Sequence, residues 1–255
     1  MGERASPNPW ILPAAGGPEA RARLVCFPYA GAGASAYRTW RRALPPHLAL
    51  ALVQLPGREA RFNEPLHTSI ASLAAGVAGA LRAETGPRRP TVFFGHSMGA
   101  LVAYETARLL AAQGGPAPAL LVVSGHRAPH LPSFRAPLGN ASDEALLQEL
   151  GRLGGTPPEV LAHPDLLALV KPIFRADLTA CETYRYVPGA GLDCSLVAYG
   201  GLADPDAPPA SLEGWREHTR GEFTRRLFPG GHFFLQSSER DVLNALLMDV
   251  ARVAP

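Results

Sequence analysis

Unbroken apolar runs alternate with helical repeats over the first half of the chain. Arg23-Leu24-Val25-Cys26-Phe27 reads as a buried strand and Leu48 to Leu55 as a second. Thr91-Val92-Phe93-Phe94 and Leu120-Leu121-Val122-Val123 repeat the pattern. Strands covered on both faces read as continuous apolar runs, not as alternating ones. Between the second and third runs, Ile70, Leu73, Val77 and Leu81 recur at helical spacing and predict an amphipathic helix within 67–83. Leu101, Val102, Tyr104, Leu109 and Leu110 predict another directly after the third run. This alternation predicts an α/β fold: a mostly parallel, doubly wound central sheet with helices on both faces.

The alternation stops at His126. From there to about Tyr186 no strand is predicted. Ser142 is placed to cap a helix running through Leu150, and Gly154-Gly155-Thr156-Pro157-Pro158 ends it. Short helices follow around 159–161 and from 164 to 184. A helical insertion over 126–186 is too long for a plain connection and reads as a lid inside one domain spanning 1–255. Cys194 to Tyr199 resumes the sheet, Phe223 to Phe228 ends it, and a helix over 238–252 closes the chain with Val242, Leu246 and Val250 inward. Residues 1–20 read as a loose arm.

Composition narrows the function classes. With 24 basic and 22 acidic residues the net charge is +2, so nothing calls for nucleic acid or an acidic membrane surface. No stretch approaches the roughly 20 apolar residues of a membrane span, and the N-terminus lacks the pattern of a signal peptide. Cys26, Cys181 and Cys194 share no metal or redox spacing, which suits a reducing cytoplasm. Gly31-Ala32-Gly33 lacks the third glycine and the acidic strand end of a dinucleotide site. No coiled coil or uncovered apolar helix is visible, so a monomer is expected.

The chemistry concentrates at Gly95-His96-Ser97-Met98-Gly99, between a strand and a helix. That is the context of a nucleophile elbow, in which a serine is raised on a strained turn at a helix N-terminus. A serine hydroxyl is a poor nucleophile at neutral pH and needs a base, which in turn needs an orienting acid. His232 follows the last strand through Gly230-Gly231, and Asp204 follows the strand before it. Both therefore fall at the carboxyl edge of the sheet, where ligand sites gather in open α/β folds. Asp206 competes with Asp204, which is favoured because it is nearer the strand end. His96 points elsewhere than Ser97 and reads as packing. Backbone N–H groups of Met98 and of Ala30, in the loop after the first strand with Tyr29 beside it, are the candidate oxyanion donors.

The chain resembles the type II thioesterases, the free-standing editing enzymes of polyketide and nonribosomal peptide synthesis, which have the α/β-hydrolase fold. The matching segments include Phe27-Pro28-Tyr29-Ala30-Gly31-Ala32-Gly33, Leu55-Pro56-Gly57-Arg58-Glu59, the elbow, Ser124-Gly125-His126-Arg127-Ala128-Pro129, Arg175-Ala176-Asp177, Gly200-Gly201 with Asp204, and Gly231-His232-Phe233-Phe234. The resemblance implies hydrolysis of acyl thioesters on the phosphopantetheine arm of acyl or peptidyl carrier proteins, with no metal and no redox cofactor. It implies that 126–186 covers an acyl chamber. Tyr29, Leu131, Phe134, Phe174 and Phe233 are then candidate substrate contacts, with Leu138, Leu166, Leu169 and Ile173 as further wall residues. An esterase, lipase or acyltransferase of the same fold is one alternative, and a non-catalytic carrier-binding module is another. The aspartate position implied by the resemblance favours a free-standing enzyme over a terminal synthase domain.

Overall fold

A computed structural model describes residues 8–17, 19–84, 89–133, 137–156 and 158–254. Its strands are β1 (Ile11–Ala15), β2 (Ala22–Phe27), β3 (Leu48–Val53), β4 (Thr91–His96), β5 (Leu120–Ser124), β6 (Ser195–Gly201) and β7 (Phe223–Phe228). They form one sheet in the order β1-β3-β2-β4-β5-β6-β7, with every neighbouring pair parallel except β1 and β3. The helices are α1 (Trp40–Ala43), α2 (Ile70–Ala83), α3 (Met98–Ala112), α4 (Asp143–Leu153), α5 (Pro158–Ala162), α6 (Pro164–Thr183), α7 (Pro209–Leu212), α8 (Phe234–Ser237) and α9 (Glu239–Val253).

Each apolar strand serves two cores. Val25, Phe27, Phe93, Leu121, Val123 and Leu196 pack with α2 and α3 on one face. Their neighbours Leu24, Cys26, Phe94, Val122, Val197 and Tyr199 pack with Tyr37, Trp40 and the inward face of α9 on the other. Side chains alternate between faces with a period of two, so a continuous apolar run is what two covered faces require. Removing one such buried side chain to Ala costs about 2–5 kcal/mol.

The expectation of a loose arm over 1–20 is corrected for residues 8–17, while residues 1–7 lie outside the described residues. Ile11 to Ala15 forms an antiparallel edge strand, with Ile11 opposite Val53 and a register shift between Pro13 and Ala15. Asn8 donates through Nδ2 to the Ala80 carbonyl at 3.1 Å, and the Arg61 guanidinium lies 4.2 Å from the Trp10 ring centre. The strand escapes a periodicity reading because Ile-Leu-Pro-Ala-Ala is short and holds a proline, which only an edge tolerates. The loop after β2 continues into a tight turn over Ala34–Tyr37 before α1.

Between β5 and β6 stand α4, α5 and α6, which account for the long strandless stretch. The Ser142 hydroxyl caps α4 by accepting the Ala145 N–H at 3.2 Å, and Gly154 ends it in the left-handed region at φ 76°. Phe134 lies outside the described residues.

Candidate active site

Ser97 sits between β4 and α3 at φ 53° and ψ −120°. A residue with a side chain rarely adopts that conformation, and it costs about 1–3 kcal/mol. The surroundings hold it there: its N–H donates to the Ser124 carbonyl at 2.8 Å. A Cβ on Gly95 would fall on the Gly99 carbonyl, and one on Gly99 would fall on the Phe27 carbonyl. The two glycines let strand and helix approach closely enough to form the turn.

His232 and Asp204 arrive from β7 and β6. His232 Nε2 is 3.0 Å from Ser97 Oγ, and its Nδ1 is 2.9 Å from Asp204 Oδ2. Asp204 uses its other oxygen to accept the N–H groups of Asp206 at 2.9 Å and Ala207 at 3.2 Å. Burial alone would raise the Asp204 pKa. The hydrogen bond and charge of His232, with the two amides, outweigh it and hold the carboxyl below its ordinary value. Asp206 turns instead to Arg152 of α4 at 3.2 Å. Asp204, Asp206 and His232 bring ligand-type atoms within 4.8 Å of one another. With Asp204 bonded to His232 and Asp206 to Arg152, the cluster is a hydrogen-bonded relay leading to Ser97.

His96 is fully buried, in keeping with the packing role read from the sequence. Its Nδ1 lies 2.9 Å from Ser124 Oγ, and its ring packs against His232, Phe233 and Phe234. Burial, then the neighbouring His232 charge, push its pKa well down, so it stays neutral.

A cavity of about 1150 Å³ opens above Ser97 and His232. Ala30 and Met98 line it beside the serine. Met98 begins α3, so its N–H has no acceptor within the helix. Of the expected substrate contacts, Tyr29, Leu131, Phe174 and Phe233 line the cavity, as do Leu169 and Ile173. Two wall assignments are corrected. Leu138 packs against the Leu146, Leu150 and Leu178 cluster, and Leu166 faces solvent at 44% exposure. The resemblance that implied an acyl chamber has no means of telling its wall from the packing around it.

Sequence reasoning assigned no role to Arg58 and Asp177, which form a buried, bidentate ion pair at 2.6 and 2.9 Å. The signal was there: an aspartate inside the stripe Ile173, Ala176, Leu178 and Ala180 demands a cation. Gln236, which donates to the Tyr29 hydroxyl at 3.3 Å, was also passed over.

A parallel sheet with a serine elbow, and a histidine and carboxylate joined to it at the sheet's carboxyl edge, defines a hydrolase of the α/β type. The chain belongs to the thioesterase domain family, whose model matches residues 22–250. It is similar to linear gramicidin dehydrogenase LgrE of Brevibacillus parabrevis, 41% identical over 93% of this chain and 91% of that protein. RedJ, a thioesterase from the prodiginine pathway in Streptomyces coelicolor, superposes with a TM-score of 0.83 at 43% identity, over 91% of this chain and 92% of that one. BorB, a type II thioesterase from the borrelidin cluster, gives 0.86 at 36% identity over 96% and 99%. The protein is a thioesterase. Among the described residues no helix is long and apolar enough to cross a membrane.

Proposed function

We propose that this enzyme hydrolyses acyl thioesters held on the phosphopantetheine arm of carrier proteins, clearing stalled or wrongly primed acyl groups during polyketide or nonribosomal peptide synthesis. The observation that carries the reading is the continuous contact from Ser97 through His232 to Asp204, at 3.0 and 2.9 Å, on the floor of an acyl-sized cavity. The pathways named for RedJ and BorB support the choice of acyl carrier. The name of LgrE raises hydride transfer as a different chemistry. The relay to Ser97, and a first loop without the dinucleotide fingerprint, favour hydrolysis.

His232 accepts the Ser97 proton at Nε2 as Oγ bonds to the thioester carbonyl carbon. Asp204 holds the imidazolium that forms. The developing oxyanion is received by the N–H groups of Ala30 and Met98. Collapse breaks the C–S bond, and His232 returns its proton to the departing thiol. Water then loses a proton to His232 and attacks the acyl carbon, and Ser97 leaves reprotonated as the free acid forms.

The insertion over 126–186 acts as a lid, supplying Leu131, Ile173 and Phe174 to the chamber wall. The enzyme works in the cytoplasm, where such carriers are loaded. The test is kcat/KM for an acyl-carrier thioester against an oxygen ester of the same acyl chain, with Ser97→Ala as baseline. Faster cleavage of the thioester is expected, and preference for the oxygen ester would favour an esterase.

A further inference from the structure

We infer that Asp177 and Arg58 are positioning residues that set the oxyanion loop from the lid helix; the inference rests on the reading of Ala30 and Met98 as oxyanion donors. Asp177 lies on α6 and is fully buried, and Arg58, at the end of the Pro56-Gly57-Arg58 turn, is 2% exposed. One carboxylate oxygen, Oδ2, accepts both the Gly31 N–H at 2.7 Å and Arg58 Nη1 at 2.6 Å. The other accepts Arg58 Nη2 at 2.9 Å. Arg58 in turn donates to the carbonyls of Ala32 at 3.3 Å and Pro56 at 3.2 Å. The pair therefore grips the loop by an N–H at Gly31 and a carbonyl at Ala32.

The geometry bears on the reacting centre through one peptide plane. The Gly31 N–H belongs to the plane that begins at the Ala30 carbonyl. Fixing that plane constrains the torsions of Ala30, and so narrows the directions open to the adjoining Ala30 N–H. Gly31 itself is at φ 78°, and a Cβ there would fall on the Phe174 ring, also on α6. Within the loop the Ala32 N–H donates to the Tyr29 carbonyl at 3.0 Å, closing a turn around the same plane, and the Asp177 bond ties that turn to α6.

Stability does not account for the pair. A buried ion pair contributes little or nothing over apolar residues of similar volume, because both charges lose their water. What an apolar pair cannot supply is an acceptor for the Gly31 N–H. Because Asp177 sits on α6, a displacement of that helix also moves the acceptor, so lid position and oxyanion geometry are coupled.

The test uses full-length protein with two double variants, Arg58→Met/Asp177→Leu and Arg58→Met/Asp177→Asn, neither of which leaves a buried charge unpaired. Both are expected to fold, checked by thermal melting. With an acyl N-acetylcysteamine thioester, the Leu variant is expected to lose about 10- to 100-fold in kcat with KM within about threefold. That is short of the 10²–10³ for outright loss of an oxyanion donor. The Asn variant, whose amide oxygen still accepts from Gly31, is expected to recover most of the loss. Native kcat in the Leu variant, a loss confined to KM, or an equal loss in both variants would overturn the inference. If the Leu variant fails to fold, Asp177→Glu serves, since it keeps the charge but shifts the acceptor. Lowered kcat is expected there, and native kcat overturns the inference. Ser97→Ala separates the two readings. If it is inactive while the positioning variants keep native kcat, only this inference falls. If it is active, the function reading falls.

Discussion

His232 Nε2 stands 3.0 Å from Ser97 Oγ, although 135 positions separate the two residues. The contact makes them one chemical unit, and units do not lose activity additively. Ser97→Ala and His232→Ala are each expected to lower kcat by at least about 10³-fold, and the double variant should be no worse than either. Asp204→Asn, which keeps the geometry but offers the wrong hydrogen-bond partner, should cost about 10²–10⁴-fold. Steady-state hydrolysis of one thioester by the native enzyme and the four variants decides it, and multiplying losses would mean the residues act separately.

The elbow glycines make a steric prediction with its own control. Gly95→Ala and Gly99→Ala drive a methyl group into backbone carbonyls that cannot yield, so both should be destabilised by about 3 kcal/mol or more. Gly79, in α2, has open space around its Cα. Gly79→Ala should therefore stabilise the protein by about 0.5–1 kcal/mol. Urea midpoints of the three variants measure both effects, and a neutral Gly99→Ala would show that the elbow has slack.

These contrasts mark how far the sequence could be read. The parallel strands were legible because residues such as Val122 and Val123 each serve one of two cores, leaving no polar position in the run. Ser97, Asp204 and His232 were legible because each follows a strand, and strand ends of a parallel sheet converge on one edge. β1 was hidden because an edge strand buries little and can carry Pro13. The Arg58–Asp177 pair was hidden for a different reason. Both residues were noticed as parts of motifs, but 119 positions separate them and no local pattern reports which buried cation meets which carboxylate.

Acid should weaken the fold through two buried histidines. His96 is held neutral by burial and by the nearby His232 charge. His218 lies 2.8 Å from the Tyr104 hydroxyl, and burial, with the charges of His130 and Arg108, pushes its pKa down to about 4. A histidine whose pKa is lower in the fold binds more protons when unfolded, so stability rises with pH across the gap. The contribution of these two histidines should be level above pH ~6.5 and fall toward about pH 4, where His218 itself titrates. The His218 share is about 3 kcal/mol at most. Urea titrations at several pH values, with His218→Gln as comparison, check this. An equally steep acid limb in the variant would assign the loss to other groups.

Phe174 shapes the chamber near the serine loop, its ring packed where a Gly31 side chain would stand. Phe174→Ala should open the chamber and shift kcat/KM toward longer acyl chains. The discrimination lost should be about 10-fold or more per methylene that the native wall excludes. A panel of straight-chain acyl thioesters measures the shift. An unchanged chain-length profile would mean that the ring packs the lid and does not meet substrate.

The central claim is that carrier-bound acyl groups pass through a covalent ester on Ser97. The direct measurement is rapid mixing with an acyl-carrier thioester, acid quenching, and mass analysis of the peptide that contains Ser97. The expected result is that peptide heavier by the acyl group in the native enzyme, scarcely modified in His232→Ala, whose acylation lacks its base, and unmodified in Ser97→Ala, which should also release no acid. Release of acid at the native rate by Ser97→Ala, with no acyl mass on this peptide in the native enzyme, would contradict it.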